Sequence, residues 1–441
     1  MRRALLAAAI LVFAAVPTAL AREKYDVKLL AKVPPPGQPA LALVAPDRTI
    51  YVGTFTNSAG TANGPSKVFA YSPQGTLLKT FTVQGQDPSA NNGVQVAAID
   101  AKGALYLLDQ HPARVVRLDP ATGAQTTYAT FKDVPPCPPP GVGNECSATL
   151  ADNPPEPDYA AWGTDGALYV TDYTQALLWR VPPQGGVAHV WFTDPLFDGA
   201  QFGPAGIVLM PDRRTLMVDT SAGGVTSTSP TTGELYTLAI QANGNPGTLN
   251  KIWESGPKEG PDGFGLAKSG NVYVALVGPG TNQIAVVAPN GSEIARISHG
   301  TGDPPFDEPS SVTFDGDRMI VTNDAYFSGD ASHFAIFDVF AGEPGAPIFI
   351  PGVSKPAAKT RYRLTVKPRS VRAGRRVTLR VIAKANGKRL ARAHVKLGRL
   401  SAFTDNRGRR RLTVKLARGR HALRLVTGKR RTVAKAYIRA R

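Results

Sequence analysis

Residues 157–172 read PDYAAWGTDGALYVTD: a proline entry, a short run of small and apolar residues, an Asp/Gly turn, then an aliphatic and aromatic run. Period-two alternation on both sides of a Gly/Asp turn is the pattern of two antiparallel strands. Five other stretches share this grammar: PALALVAPDRTIYVG from Pro39, VQVAAIDAKGALYLLD from Val94, PAGIVLMPDRRTLMVD from Pro204, PDGFGLAKSGNVYVAL from Pro261 and PSSVTFDGDRMIVTND from Pro309. Anchored on Tyr51, Tyr106, Tyr169, Met217, Tyr273 and Ile320, the copies are 55, 63, 48, 56 and 47 residues apart. Each is followed by a second strand pair around a Pro/Gly turn, as in LLWRVPPQGGVAHVW after the third copy and HFAIFDVFAGEPGAPIFI after the sixth.

Six four-stranded units of this length predict a six-bladed β-propeller, because radial closure removes the exposed edges of an open β-array. A solenoid or an array of sandwiches has no reason to stop at six. Small residues in the first strands (Ala42, Ala97, Ala160, Gly206, Gly265) suit strands crowding one axis. The alternation Tyr25, Val27, Leu29 offers an N-terminal strand to complete the sixth blade.

Upstream, Met1-Arg2-Arg3, an apolar run from Ala4 to Val16 and Ala19-Leu20-Ala21 have the charged, apolar, small-residue order of a secretory leader, residues 1–21, cleaved after Ala21. The run is too short to cross a bilayer, so a secreted, extracellular or wall-associated protein is expected. The only cysteines, Cys137 and Cys146, bracket a Pro/Gly-rich loop, and in an oxidising compartment they pair; no second ligand pair stands near them for a thiolate metal site.

After a linker at 353–358 the composition changes. Residues 359–441 carry 29 Lys and Arg against the single acid Asp405, a net charge of +28, which leaves 22 basic and 32 acidic residues, −10, in the rest. Seven short strands in this tail, RYRLTV to AKAYI, predict an immunoglobulin-like β-sandwich. SVRAGRRVTLRV and FTDNRGRRRLTV resemble bacterial immunoglobulin-like and carboxypeptidase-regulatory-like accessory modules. The charge split points to the tail, not the propeller at 22–352, as the part that meets anionic wall polymers or acidic polysaccharide, with no specific nucleic acid implied.

No G-x-S-x-G elbow, phosphate-cradling Gly-Lys loop or H-E-x-x-H helix occurs. The six histidines lack ligand spacing. Asp109, Asp172 and Asp219, which end the second strands, read as recurring turn caps. The residues that open the first strands converge at one channel mouth: Gln95, Asp158 and Asp262 lie eleven residues before their anchors, with Gln38, Ala205 and Ser310 in the other places. Carboxylates and amide oxygens around an axis suit a hard divalent cation such as calcium.

GPDGFGLAKSGNVYVALVGPGTNQIAVVAPNG, SSVTFDGDRMIVTN and the closing GEPGAPIFIPG resemble the family of regucalcin (senescence marker protein), gluconolactonase and luciferin-regenerating enzyme, over roughly residues 25–352. The resemblance implies a six-bladed propeller holding one divalent metal, calcium or zinc, and acting on a lactone. It implies Asp262 as metal ligand and general base, Asp158 as a second ligand and Gln38 as a third, while Ala205 stands where the family has an asparagine. Two functions follow: metal-dependent lactone or ester hydrolysis, or recognition of an extracellular sugar or other small molecule without turnover.

Overall fold

The computed structural model describes residues 22–55, 64–87, 89–138, 145–149, 152–198, 202–222, 231–352, 361–426 and 432–441; the leader lies outside them. The chain forms two compact units that part after Gly352.

The first unit is a six-bladed β-propeller. Its innermost strands are Pro39–Val44, Val94–Ile99, Pro157–Trp162, Pro204–Leu209, Pro261–Leu266 and Pro309–Asp315, each the edge of an antiparallel sheet that runs outward in sequence order. Each inner strand packs on the next, and the sixth on the first, so the ring closes. The outer place of blade 6 belongs to Val27–Lys32, paired antiparallel with Ala335–Phe340. The N-terminus thus clasps the last blade to the ring, as the Tyr25, Val27, Leu29 alternation predicts.

The closing PIFI is therefore not a strand, in contrast to the sequence expectation. Gly345 bridges to Ala267 at the end of the blade 5 inner strand, and Phe349 packs against apolar residues of blades 2, 3 and 4 with Arg213 over its ring. Ile350 reaches the cluster shared by blades 1 and 2. This segment crosses the end of the channel where the inner strands finish, so the end where they start is the one left for a site.

The core lies between blades, where alternate side chains of neighbouring sheets interdigitate. Trp179, Tyr169 and Tyr273 are among its largest fully buried members. Close approach at the axis demands small residues: a Cβ on Gly206 would stand 2.7 Å from the Phe264 ring. Cys137 and Cys146 form a disulfide. No helix among the described residues is long and apolar enough to cross a membrane.

The second unit is a two-sheet sandwich. One sheet joins Tyr362–Lys367, Arg376–Ala385 and Arg409–Lys415, with Lys388–Arg389 at its edge; the other runs Ser370–Val371, Thr432–Ala440, Gly419–Val426, His394–Leu397, Leu400–Phe403. The first strand breaks and continues in the opposite sheet, where Ser370–Val371 lies parallel to the last strand, an immunoglobulin-type arrangement. Leu364, Val366, Leu379, Val381, Leu423, Leu425 and Ile438 fill its core.

Candidate functional site at the channel mouth

Strand register defines the ring of residues at the mouth. Pro39, Val94, Pro157, Pro204, Pro261 and Pro309 pair with Thr54, Asp109, Asp172, Thr220, Leu276 and Asn323. The next residue of each inner strand is then Ala40, Gln95, Asp158, Ala205, Asp262 or Ser310. The sequence alignment put Gln38 in the first place. The register corrects this: Ala40 stands there, and buried Gln38 lies two residues ahead, its carbonyl accepting from Phe55 N–H.

Asp158 is buried, and one of its oxygens accepts from Gln95 Nε2 at 2.8 Å. Burial pushes its pKa up to about 7, the Gln95 bond lowering it and the charges of Asp172 and Glu156 raising it further. Asp262 is also held well above the ordinary carboxylate range, first by desolvation and then by Asp158.

Two more carboxyls join them. Asp219 is fully buried; neither of its oxygens has a hydrogen-bond partner of good geometry, and only the nearby N–H groups of Gly206 and of Asp219 itself ease it. Desolvation, then Asp262 and Asp158, drive its pKa far up. Asp324, also buried, is raised by desolvation, then by Asp262 and Glu308. Among the described residues no Lys, Arg or His forms an ion pair with any of the four.

The turn-cap reading holds for two aspartates and fails for the third. Asp109 accepts from the backbone N–H of His111 in its turn and also from the Gln86 and Arg114 side chains, and Asp172 accepts from Glu156 N, Gln175 N and Trp179 Nε1. Asp219 is one residue short of their register, because the turn of blade 4 between Leu209 and Leu216 is one residue longer than that of blade 3 between Trp162 and Leu168. A one-residue slip flips a strand side chain to the other face. Thr220 takes the capping register and bonds Glu234, while Asp219 shares the register of Thr171, whose hydroxyl reaches Ala205 O on the next blade. Counting from the anchor tyrosines, not from the motif start, carries this signal in the sequence.

A floor and a roof enclose the carboxyls. Tyr159 of blade 3 crosses the axis and its hydroxyl donates to Ser310 O of blade 6, the diametrically opposite blade, at 2.9 Å. It passes so close over Gly263 that a Cβ there would stand 2.4 Å from the phenol oxygen. Above, Tyr173, Phe202, Tyr326 and Phe327 form an edge-on aromatic group with ring centroids 5.1–6.3 Å apart, joining loops of blades 3, 4 and 6. Tyr173 bonds the Glu156 carboxylate and receives Gln110 Nε2 at 3.2 Å. Neither the floor nor the roof is announced by a local motif.

The residues present do not fit the divalent cation that the resemblance implies. Ala40 and Ala205 bring no side-chain oxygen to the ring, and Asp158 is already engaged by Gln95. No group of three or more His, Cys, Asp and Glu side chains among the described residues is arranged to hold a metal ion. Asp158 and Asp262 stand close enough for the charge of Asp158 to raise Asp262, with Asp219 and Asp324 near them.

No family model matches the chain, and no curated protein matches it by sequence. Solved structures similar to it include luciferin-regenerating enzyme (12% identity, covering 74% of this chain and 99% of that one, TM-score 0.47). The PQQ-bound aldose sugar dehydrogenase of Streptomyces coelicolor is 14% identical, covering 72% and 98%, with TM-score 0.46. Virginiamycin B lyase of Staphylococcus aureus is 13% identical, covering 72% and 99%, with TM-score 0.43. At identities and TM-scores this low, the likenesses show neither a family nor a chemistry for this chain.

Proposed function

We propose that this is an exported β-propeller whose channel mouth binds a small sugar-like molecule rich in hydrogen-bond donors, without a metal. One observation carries the reading. The buried polar atoms left without partners of good geometry around the carboxyl cluster, both oxygens of Asp219 and Oε1 of Gln95, can accept at least two hydrogen bonds whether or not Asp219 holds its proton, so their complement is a ligand that donates. Carboxyls all raised above the ordinary carboxylate range, under an aromatic roof, match the hydroxyls and apolar faces of a sugar or sugar lactone. Export is supported by the disulfide.

Calorimetry against a panel of sugars and sugar lactones tests this. Binding should survive a chelator, and Asp219→Asn and Asp262→Asn should each weaken it by about tenfold or more, the loss of a hydrogen bond to a charged group. A ligand that binds only after added calcium or zinc would overturn the metal-free reading.

Turnover is favoured by a second observation: burial pushes Asp158 up to about 7, and desolvation with the charge of Asp158 raises neighbouring Asp262, an arrangement suited to a base and an acid in ester or lactone hydrolysis. Asp158, ionised first, would take a proton from an attacking water, and protonated Asp262 would donate to the leaving oxygen. The sequence-based role of Asp262 as base is thereby exchanged with Asp158. Hydrolysis should then rise with pH through about 7 and vanish in Asp158→Asn; a panel bound but never cleaved leaves recognition as the function.

A further inference from the structure

The basic sandwich carries two shallow depressions that share one residue. Arg363, Lys367 and Arg380 line the first, Arg420 and Arg439 the second, and Arg369 belongs to both. Arg369 stands where the first strand leaves one sheet for the other, and its carbonyl accepts Arg439 N–H at 2.8 Å, fixing it at the sandwich edge. The two depressions are therefore one basic track that passes from the face of one sheet around the edge to the other. No acidic side chain lines it.

The register shows that these charges oppose one another. Lys367 lies directly across from Arg380, and Arg380 from Arg411, giving three cations abreast on adjacent strands; Arg420 lies across from Arg439 on the other sheet. Strands stand about 4.8 Å apart, so like charges in register repel. No Lys or Arg among the described residues of this unit is in an ion pair that would relieve them. Arginine also dominates, 21 to 8 over lysine in residues 359–441, and a guanidinium fork matches phosphate oxygens two at a time. One guanidinium, Arg420, is stacked on exposed Tyr437 at 3.9 Å, which orients its fork.

We infer that the track through Arg380, Arg369 and Arg439 is a docking surface for a linear phosphate-bearing polymer at the cell surface, and that it holds the propeller there. The disulfide of the same chain places it in an oxidising compartment, where wall polymers, and not cytosolic nucleic acid, are the polyanions at hand. The inference does not depend on the ligand of the channel mouth.

The test uses the whole mature protein, with inorganic polyphosphate, polygalacturonate and oligo-deoxythymidylate as probes in a salt series. Polyphosphate should bind most tightly, with an affinity that falls linearly on a log–log salt plot. The pair Arg369→Ser, Arg439→Ser should weaken it about tenfold. The pair Lys388→Ser, Arg399→Ser, exposed but off the track, should weaken it less than about twofold. Equal losses in both pairs would show diffuse attraction and overturn the track. Equal or tighter binding of the oligonucleotide, with the same dependence on Arg369 and Arg439, would overturn the assignment to a surface polymer, and tighter binding of polygalacturonate would overturn the phosphate.

Discussion

The two units of this chain handle charge in opposite ways. In the propeller, carboxylates on the rim are engaged by arginine: Asp315 by Arg48 and Arg318, Asp338 by Arg22 and Arg318, Asp109 by Arg114. The four at the mouth have no such partner among the described residues, and three of them, Asp158, Asp219 and Asp324, are buried. In the sandwich the core is apolar and the cations stand in water, in register with one another and, among the described residues, without ion pairs. Uncompensated charge is thus held by desolvation in one unit and by like-charge repulsion in the other. The first responds to protons and the second to salt, so pH and ionic strength should move the two units independently.

The largest expected effect is on the propeller. A carboxyl whose folded pKa is raised keeps its proton in the native state after the unfolded chain has lost it. Its stabilising contribution is complete below the unfolded value near 4 and is lost as pH rises through the folded value, about 7 for Asp158. For Asp158 alone the loss between about pH 4 and pH 8 amounts to about 4 kcal/mol, with Asp219, Asp262 and Asp324 acting in the same direction. Calorimetry from pH 5 to pH 8 should show the propeller transition falling steadily while that of the sandwich, with its one exposed acid Asp405, stays nearly level. Parallel shifts of both transitions would mean that the mouth carries compensation.

Much of this contrast was legible beforehand. Six repeats, the closing N-terminal strand, the disulfide and the charge split follow from period and composition, which are local properties. Asp158 and Asp262 were also legible, because blade symmetry carries one motif position to one place. Asp219 is legible only by its distance from the anchor residue and is missed when counted from the motif start, since an extra residue in the Met210–Thr215 turn shifts its face without disturbing the apolar pattern. Tyr159 and the aromatic roof were hidden for another reason: Tyr159 of blade 3 meets Ser310 of blade 6, and Phe202 of blade 4 meets Tyr326 and Phe327 of blade 6, each across more than a hundred residues, and one sequence does not record which loops meet over an axis. The closing PIFI segment reads as a strand by pattern, yet the N-terminus already holds the edge it would need.

Reduction should separate the units next. Closing the ten-residue loop between Cys137 and Cys146 removes about 2.7 kcal/mol of unfolded-chain entropy, and Cys137→Ser with Cys146→Ser should lower the propeller transition by about that much. The sandwich transition, which has no cysteine, should not move.

A smaller effect has the opposite sign. Asp219→Asn keeps the shape of a side chain whose oxygens have no good partner and removes a carboxyl whose ionisation desolvation, Asp262 and Asp158 oppose. It should stabilise the propeller at pH 8 by about 1–2 kcal/mol, with the gain shrinking as pH falls toward the unfolded value near 4, where both native and unfolded chains hold the proton. The same variant should lose ligand, because a site kept ready for binding is costly to the fold that holds it. Destabilisation at both pH values would instead make Asp219 part of the packing.

The smallest effect sharpens the other side of the comparison. Arg380 lies between Lys367 and Arg411 on adjacent strands, so a single Arg380→Glu turns two repulsive cross-strand pairs into two attractive ones. Pairs of this kind contribute about 0.2–1 kcal/mol each, so the sandwich should gain roughly 0.5–1.5 kcal/mol at low salt. Glutamate is a poorer strand former than arginine, which works against the gain, and Arg380→Gln measures that part by itself. Screening lengths shrink to about 3 Å at 1 M salt, so the difference between the Glu and Gln variants should close as salt is added. Both variants should weaken polyphosphate binding, the Glu variant more. A Glu variant that is stabilised and still binds polyphosphate as the native protein does would separate the strained row from the docking track and leave the repulsion without a purpose.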